Sequence, residues 1–115
     1  MRHDWERLHD ILEAIARIER YVQQGRDVFD HDELVQVWII HHIQVIGEAV
    51  RHLSDALRAK HADLPWAQII GMRNILVHDY FGIDLEAVWS TVVQDLPDLR
   101  RQMEAILREV DRPPD

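Results

Sequence analysis

The chain has 115 residues, 47% of them hydrophobic, so one globular domain spanning residues 1–115 around one apolar core is expected. The formal net charge of −8 argues against a protein that coats nucleic acid with a basic surface. The absence of cysteine excludes disulfides, thiolate metal sites and cysteine nucleophiles. Without an apolar run approaching the roughly 20 residues that span a bilayer, or the apolar core of a signal peptide, a cytoplasmic protein is expected.

Apolar residues at spacings of three and four predict two helices in the first half of the chain. The first covers residues 4–24 and stops before Gly25. The second is long, residues 30–61, and Asp30 or Asp32 can cap it because a short carboxylate accepts the free N–H groups of the first turn. The main apolar stripe of this second helix comprises Val35, Ile39, Ile43, Ile46, Val50, Leu53 and Leu57. A second apolar edge, Leu34, Trp38, Val45 and Ala49, makes the face broad enough to be half core and half subunit interface.

The second half of the chain predicts a short helix over residues 65–80 and a last helix over residues 84–110. The apolar stripe of the last helix stays in phase across Pro97, so a kink is expected there and not a new element. Strand alternation and hairpin turns are absent from the sequence pattern. The predicted fold is an all-α, antiparallel four-helix, bundle-like domain with a long second helix and a kinked last helix, and residues 111–115 are expected to fray.

The densest group of polar residues is found at residues 71–81, at the end of the short third helix. Arg73 presents a planar, permanently charged fork that suits a phosphate. His78 is the side chain best suited to exchange protons near neutral pH. Together they could cleave an RNA phosphodiester without a metal. His78 would remove the proton of the 2′-hydroxyl or protonate the leaving oxygen, and Arg73 would hold the charge that develops on the phosphate.

Helical geometry limits this interpretation, because five residues at about 100° each place Arg73 and His78 roughly 140° apart. Asn74 and His78, four residues apart, do share a helix face. Either the helix ends near His78, or a second copy of the chain completes the site. Structural roles are the alternative: Arg73 could pair with Asp79, and His78 could cap the helix.

The wider segment resembles the HepT-like toxins of the HEPN superfamily, which are small helical ribonucleases. The signature is Arg73, four residues, His78, one residue and Tyr80, with Asn74 after the arginine. Four flanking blocks add to the resemblance: residues 44–49 (QVIGEA), residues 65–66 with 69–74 (PW and IIGMRN), residues 84–85 with 88–89 (DL and VW), and residues 96–97 (LP).

The resemblance implies a homodimer that cleaves RNA in a cleft between its subunits, with no metal and no cofactor. It implies that Arg73 and His78 are catalytic and that Asn74 supports them. It also implies a type II toxin–antitoxin pair, in which a minimal nucleotidyltransferase antitoxin attaches AMP to Tyr80. Such a group would block the cleft and neutralise Arg73. The alternative is a non-catalytic HEPN module that binds a nucleotide, or the nucleotidyltransferase itself, through the same residues.

Other polar residues are expected to play lesser parts. Glu48 and Asp79 are possible supports of the site, Glu48 by orienting Arg73. His41, Glu48 and His52 fall near one face of the long helix, where a polar strip is favoured over a metal site. Basic residues that could contact RNA are Arg51, Arg58, Lys60, Arg100, Arg101 and Arg108. The tryptophans, Trp5, Trp38, Trp66 and Trp89, are expected to anchor the core and interfaces.

Overall fold

The structure is a computed structural model that describes residues 3–75, 77–79 and 82–112, with side chains outside residues 73–83. Most of the described chain is helical, which confirms the predicted all-α class, and its shape is elongated, 44 × 25 × 25 Å. The helices are α1 (Asp4–Val22), α2 (Arg26–His31), α3 (Glu33–Arg51), α4 (Asp55–Lys60), α5 (Trp66–Ile75), α6 (Leu85–Ser90) and α7 (Leu96–Glu109). None of the described helices is long and apolar enough to cross a bilayer.

Helix α3 lies at the centre of the bundle. It packs most extensively against α1 and next against α5, while α7 also packs against α1. The main stripe predicted for this helix is buried throughout, and its members on α3 are Val35, Ile39, Ile43, Ile46 and Val50. The second apolar edge is only partly covered, since Ala49 is buried, Trp38 and Val45 are half-buried and Leu34 is 81% exposed.

The prediction of a single long helix over residues 30–61 is wrong, because capping side chains at Asp32 and Ser54 divide this segment into separate helices. Asp32 has extended backbone (φ −116°, ψ 103°), and its carboxylate accepts the N–H groups of Leu34 and Val35 at 3.0 and 3.3 Å. Ser54 caps α4 in the same manner, and the carboxylate of Asp4 accepts its N–H and its hydroxyl at 2.8 and 2.6 Å. Side chains of this kind offer the backbone an alternative to the helical ladder, so the chain turns without losing its apolar stripe.

The predicted helix over residues 65–80 also ends early. Helix α5 stops at Ile75, and the chain enters a short antiparallel pair of strands, β1 (Val77–Asp79) and β2 (Gly82–Ile83), which the sequence pattern did not predict. Val77 lies opposite Ile83, and Asp79 lies opposite Gly82. Val77, Asp79 and Gly82 are residue types of weak helix propensity, which allows local pairing to replace the last helical turn.

The last helix is continuous from residue 85 to residue 109, as predicted, but the expected kink takes the form of a π-helical turn, Thr91–Asp95. The N–H of Leu96 donates to the carbonyl of Thr91, five residues earlier. Pro97 follows directly and has neither an N–H to donate nor room for the carbonyl four residues before it. A widened turn at this point accommodates both the missing N–H and the bulk of the proline ring.

Tryptophan rings tie the helices together, in line with their predicted role as anchors. The indole N–H of Trp38 on α3 donates to the carbonyl of Arg17 on α1 at 3.1 Å. The ring centroid of Trp89 lies 5.3 Å from that of Phe29, a fully buried residue of α2. The guanidinium of Arg112 lies 5.3 Å from the ring centroid of Trp5, so this part of the expected frayed tail lies against α1; residues 113–115 are outside the described residues.

His42 is a buried histidine of α3 that lies beside residues of α1. Its Nδ1 lies 2.7 Å from the carbonyl oxygen of Trp38, so Nδ1 carries the proton and donates it. Burial lowers the pKa of His42, and the nearby charges of His41 and Arg17 lower it further, against the opposing effects of the Trp38 carbonyl and Glu13. The imidazole is therefore neutral in the folded chain at neutral pH.

We expect folding stability to fall as the pH drops below about 6.5, because protons then bind His42 more readily in the unfolded chain than in the folded chain. His42→Gln should reduce this loss, while His31→Gln, which removes an exposed histidine of α2 that does not act on the pKa of His42, should leave it unchanged. The measurement is thermal unfolding of each variant at about pH 7.5 and about pH 5.5, each protein serving as its own reference. Equal acid losses in His42→Gln and the unaltered chain would contradict this assignment.

Candidate active site

Helix α5, which carries the first half of the predicted site, is fixed at its start and along one face. The indole N–H of Trp66 donates to the carbonyls of Arg58 and His61 at 3.2 and 2.9 Å, which joins the start of α5 to α4. Ile69 and Met72 are buried, and the helix packs against α3. The last turn of α5 therefore has a defined position at the end of the bundle.

The structure places the predicted catalytic residues on two adjoining elements. Arg73 and Asn74 lie in the last turn of α5, and His78 lies in β1 with Asp79, while Tyr80 is outside the described residues. Because α5 ends at Ile75, between Arg73 and His78, the separation of 140° on one ideal helix does not apply. The helix thus ends before His78, which was the first of the two ways in which Arg73 and His78 could share a site. The roles of these side chains stay predictions.

Glu48 lies near the end of α3, the helix against which α5 packs. Its Oε1 accepts a hydrogen bond from Nη2 of Arg51 at 2.8 Å and lies 2.9 Å from Nε2 of His52. This half-exposed cluster gives Glu48 two basic neighbours, Arg51 at the end of α3 and His52 directly after it. Its proposed contact with Arg73 stays a prediction.

The polar strip on α3 shows no metal-binding geometry. His52 is joined to Glu48, whereas the ring of His41 packs at 5.0 Å from the ring of His42. Across the described part of the chain, no three His, Asp or Glu side chains converge in a way that could hold a metal ion.

Most of the basic residues expected to contact RNA are engaged by carboxylates. Four of the six form ion pairs, namely Arg51 with Glu48, Arg58 with Asp55, Arg100 with Glu19 and Arg101 with Asp98. Lys60 and Arg108 have no carboxylate partner among the described side chains. The described surface therefore offers little uncompensated positive charge to a polyanion.

A groove of about 490 Å³, which the sequence did not reveal, runs between α5 and the start of α7. Its floor is apolar and its rim carries amide and carboxylate groups; the lining includes Gln68, Ile69 and Met72 from α5 and Asp95, Leu99 and Gln102 from the last helix. The sequence shows that the lining residues within 95–102 share one helix face, because they are three or four positions apart. It does not show that this face lies opposite residues 68–72, which are distant in the chain.

Comparison with known proteins agrees with this architecture. Residues 11–106 match the Ribonuclease HepT-like family. The chain is 34% identical over 101 residues to a candidate RNase of Caldanaerobacter subterraneus subsp. tengcongensis, covering 88% of this chain and 90% of that protein. It is 34% identical over 100 residues to the probable ribonuclease HepT of Thermococcus cleftensis, covering 86% and 91%.

A Methanocaldococcus jannaschii protein, named as a gamma-glutamylcyclotransferase and candidate RNase, is 37% identical over 106 residues. That match covers 91% of this chain and 48% of the relative, so the chain spans about half of that protein's length. No solved structure matches the chain significantly. The family match extends over most of the chain and includes the whole of α5 and β1, and the chain belongs to the HepT-like ribonuclease family.

Proposed function

We propose that this chain is a metal-independent endoribonuclease that acts as a homodimer in the cytoplasm. The observation that carries the proposal is the placement of Arg73 and Asn74 at the end of α5 and of His78 in the adjoining β1, within a chain of a ribonuclease family. The elements that carry these residues lie next to each other, as a common site requires.

In the proposed reaction the RNA supplies its own nucleophile. His78 accepts the proton of a 2′-hydroxyl, the O2′–P bond forms, and the P–O5′ bond breaks as the leaving oxygen takes a proton from water. The products are a 2′,3′-cyclic phosphate and a 5′-hydroxyl. Arg73 stabilises the negative charge that develops on the phosphorus oxygens, and Asn74 positions either Arg73 or His78. Glu48 and Asp79 are proposed to support Arg73 and His78.

A second copy of the chain would bring a second set of these residues to the same cleft. Apolar surface suited to a subunit contact remains on α3, where Leu34 is 81% and Val37 is 52% exposed. A dimer with two-fold symmetry would also concentrate the arginines of both sites, which matters because four of the six other basic residues expected to contact RNA are paired with carboxylates.

The proposed biological setting is a type II toxin–antitoxin pair. The partner is a minimal nucleotidyltransferase that transfers AMP to the hydroxyl of Tyr80, with pyrophosphate leaving from ATP. The phosphate of the attached AMP would compete with RNA for Arg73, and its base would fill the cleft. This single modification would silence the enzyme.

Cleavage of total cellular RNA in EDTA tests the roles of the two residues. We expect His78→Ala to lower the rate by about 10²- to 10⁴-fold, the usual contribution of general acid–base catalysis. His41→Ala, which removes an exposed histidine from α3, is the matched control and should retain full activity. An intact mass would show that each sample carries no AMP.

Equal cleavage by His78→Ala and the unaltered chain would show that the assignment of roles is wrong. If the unmodified chain cut no RNA but bound a nucleotide tightly by calorimetry, the non-catalytic module would replace the ribonuclease. The paired arginines of the described surface are the observation that favours this second candidate.

Co-expression with the nucleotidyltransferase tests the modification. The unaltered chain should gain the mass of one AMP and lose RNA cleavage, whereas Tyr80→Phe should gain no mass and keep cleaving. Tyr21→Phe, which removes the other tyrosine of the chain, is the control and should be modified normally. An AMP adduct on Tyr80→Phe would refute the assignment.

A further inference from the structure

The residues that line the groove between α5 and α7 have no role in the proposed cleavage chemistry. Its volume of about 490 Å³ falls within the range of about 300 to 1,000 Å³ typical of small-molecule sites. Ile69, Met72 and Leu99 are buried and form an apolar floor. A flat aromatic ring can pack on such a floor, and a methionine thioether favours that contact.

The rim of the groove is rich in hydrogen-bond acceptors. Asp98 is held by Arg101, whereas Asp95 has no hydrogen-bond or ion-pair partner among the described residues. The amides of Gln68 and Gln102 also face the groove and can both donate and accept. Two carboxylates repel a phosphate, so the part of a nucleotide that fits here is its base and not its backbone.

The groove also adjoins the residue that is proposed to hold the scissile phosphate. Gly71 and Met72 line it, and Arg73 is the next residue of the same helix. At 1.5 Å of rise per residue, the α5 side of the groove from Gln68 to Met72 covers about 6 Å of helix axis and ends beside Arg73. A nucleotide whose phosphate is held at Arg73 can therefore extend its base along α5 into the groove.

We propose that this groove is a nucleobase subsite that selects guanine beside the scissile phosphate, an inference that rests on the proposed ribonuclease function. Guanine presents two adjacent donors, N1–H and the N2 amino group, which match the two oxygens of the Asp95 carboxylate. Adenine and cytosine place a ring acceptor beside their amino group, and uracil flanks its one N–H with two carbonyls. Each of these bases would direct an acceptor at a carboxylate that can only accept.

Gln102 completes the proposed recognition of guanine. Its half-buried side chain lies two turns after Asp95, and its amide N–H₂ can donate to O6 of the same guanine. The arrangement reads the base through its Watson–Crick edge while the ring packs on the apolar floor, as single-stranded RNA is commonly recognised.

Sequencing the ends produced from a random RNA library tests the proposal. The unaltered chain should cut with guanine enriched at one fixed position next to the cut. Asp95→Asn, nearly isosteric but with one acceptor exchanged for a donor, should lower that enrichment about tenfold while cleavage continues. Asp55→Asn removes the same charge from a side chain that is 98% exposed on α4, and it should leave the enrichment unchanged.

Cleavage without guanine enrichment, or enrichment that persists in Asp95→Asn, would overturn the subsite and leave the ribonuclease proposal intact. Absence of any cleavage by the unaltered chain would instead overturn the ribonuclease proposal. In that case NMR titration with 5′-GMP and 5′-AMP decides whether the groove binds a base. Shifts of the Gln68 and Gln102 side-chain amides with GMP alone would support the subsite, and their absence would refute it.

Discussion

The burial of α3 between α1 and α5 is the constraint on which the rest of the structure depends. A helix packed on two sides must be apolar over a broad face, and the stripe from Val35 to Val50 supplies it. With each large aliphatic side chain contributing about 1.5 to 3 kcal/mol on burial, this stripe is a major source of the stability of the domain. The caps at Asp32 and Ser54 set where α3 begins and where α4 follows it, and thereby direct the chain toward α5.

The position of the site follows from that packing. Helix α5 is anchored at Trp66 and buried at Ile69 and Met72, so its last turn has a fixed place relative to α3. Its early end at Ile75 then lets the next residues leave the helix axis and form β1. Arg73 and His78 lie on opposite sides of this change of direction. A short interruption of regular structure, supported by a rigid bundle, is a common arrangement for residues that act on a ligand.

The sequence predicted the parts of this architecture that depend on apolar periodicity. The stripe of α3 and the helical continuity across Pro97 were correct because burial determines both. The breaks at Asp32 and Ser54 were missed because a capped turn need not disturb the stripe, and Leu53 and Leu57 remain buried beyond the second break. The strand pair at Val77 was missed because differences in local propensity are small and the surrounding structure decides them.

The candidate site likewise has features that the sequence predicted and features that it did not. The grouping of Arg73, Asn74, His78 and Tyr80 was visible because these residues are close in the chain, and the family match extends over the same segment. The groove was not visible because it combines two segments more than twenty residues apart, 65–72 and 95–102. The pairing of Arg100 with Glu19 was equally hidden, since these two residues meet at 2.9 Å but are 81 positions apart in the chain.

In the proposed mechanism RNA supplies the nucleophile, and the chain supplies a proton carrier and a cation. This mechanism is tested most directly with one RNA that contains a mapped cleavage site, prepared with and without a single 2′-deoxy substitution at that nucleotide, in EDTA. The all-ribose RNA should give a 2′,3′-cyclic phosphate and a 5′-hydroxyl end, and the deoxy RNA should stay intact at that site. Cleavage of the deoxy RNA there, or a 5′-phosphate product, would contradict the mechanism.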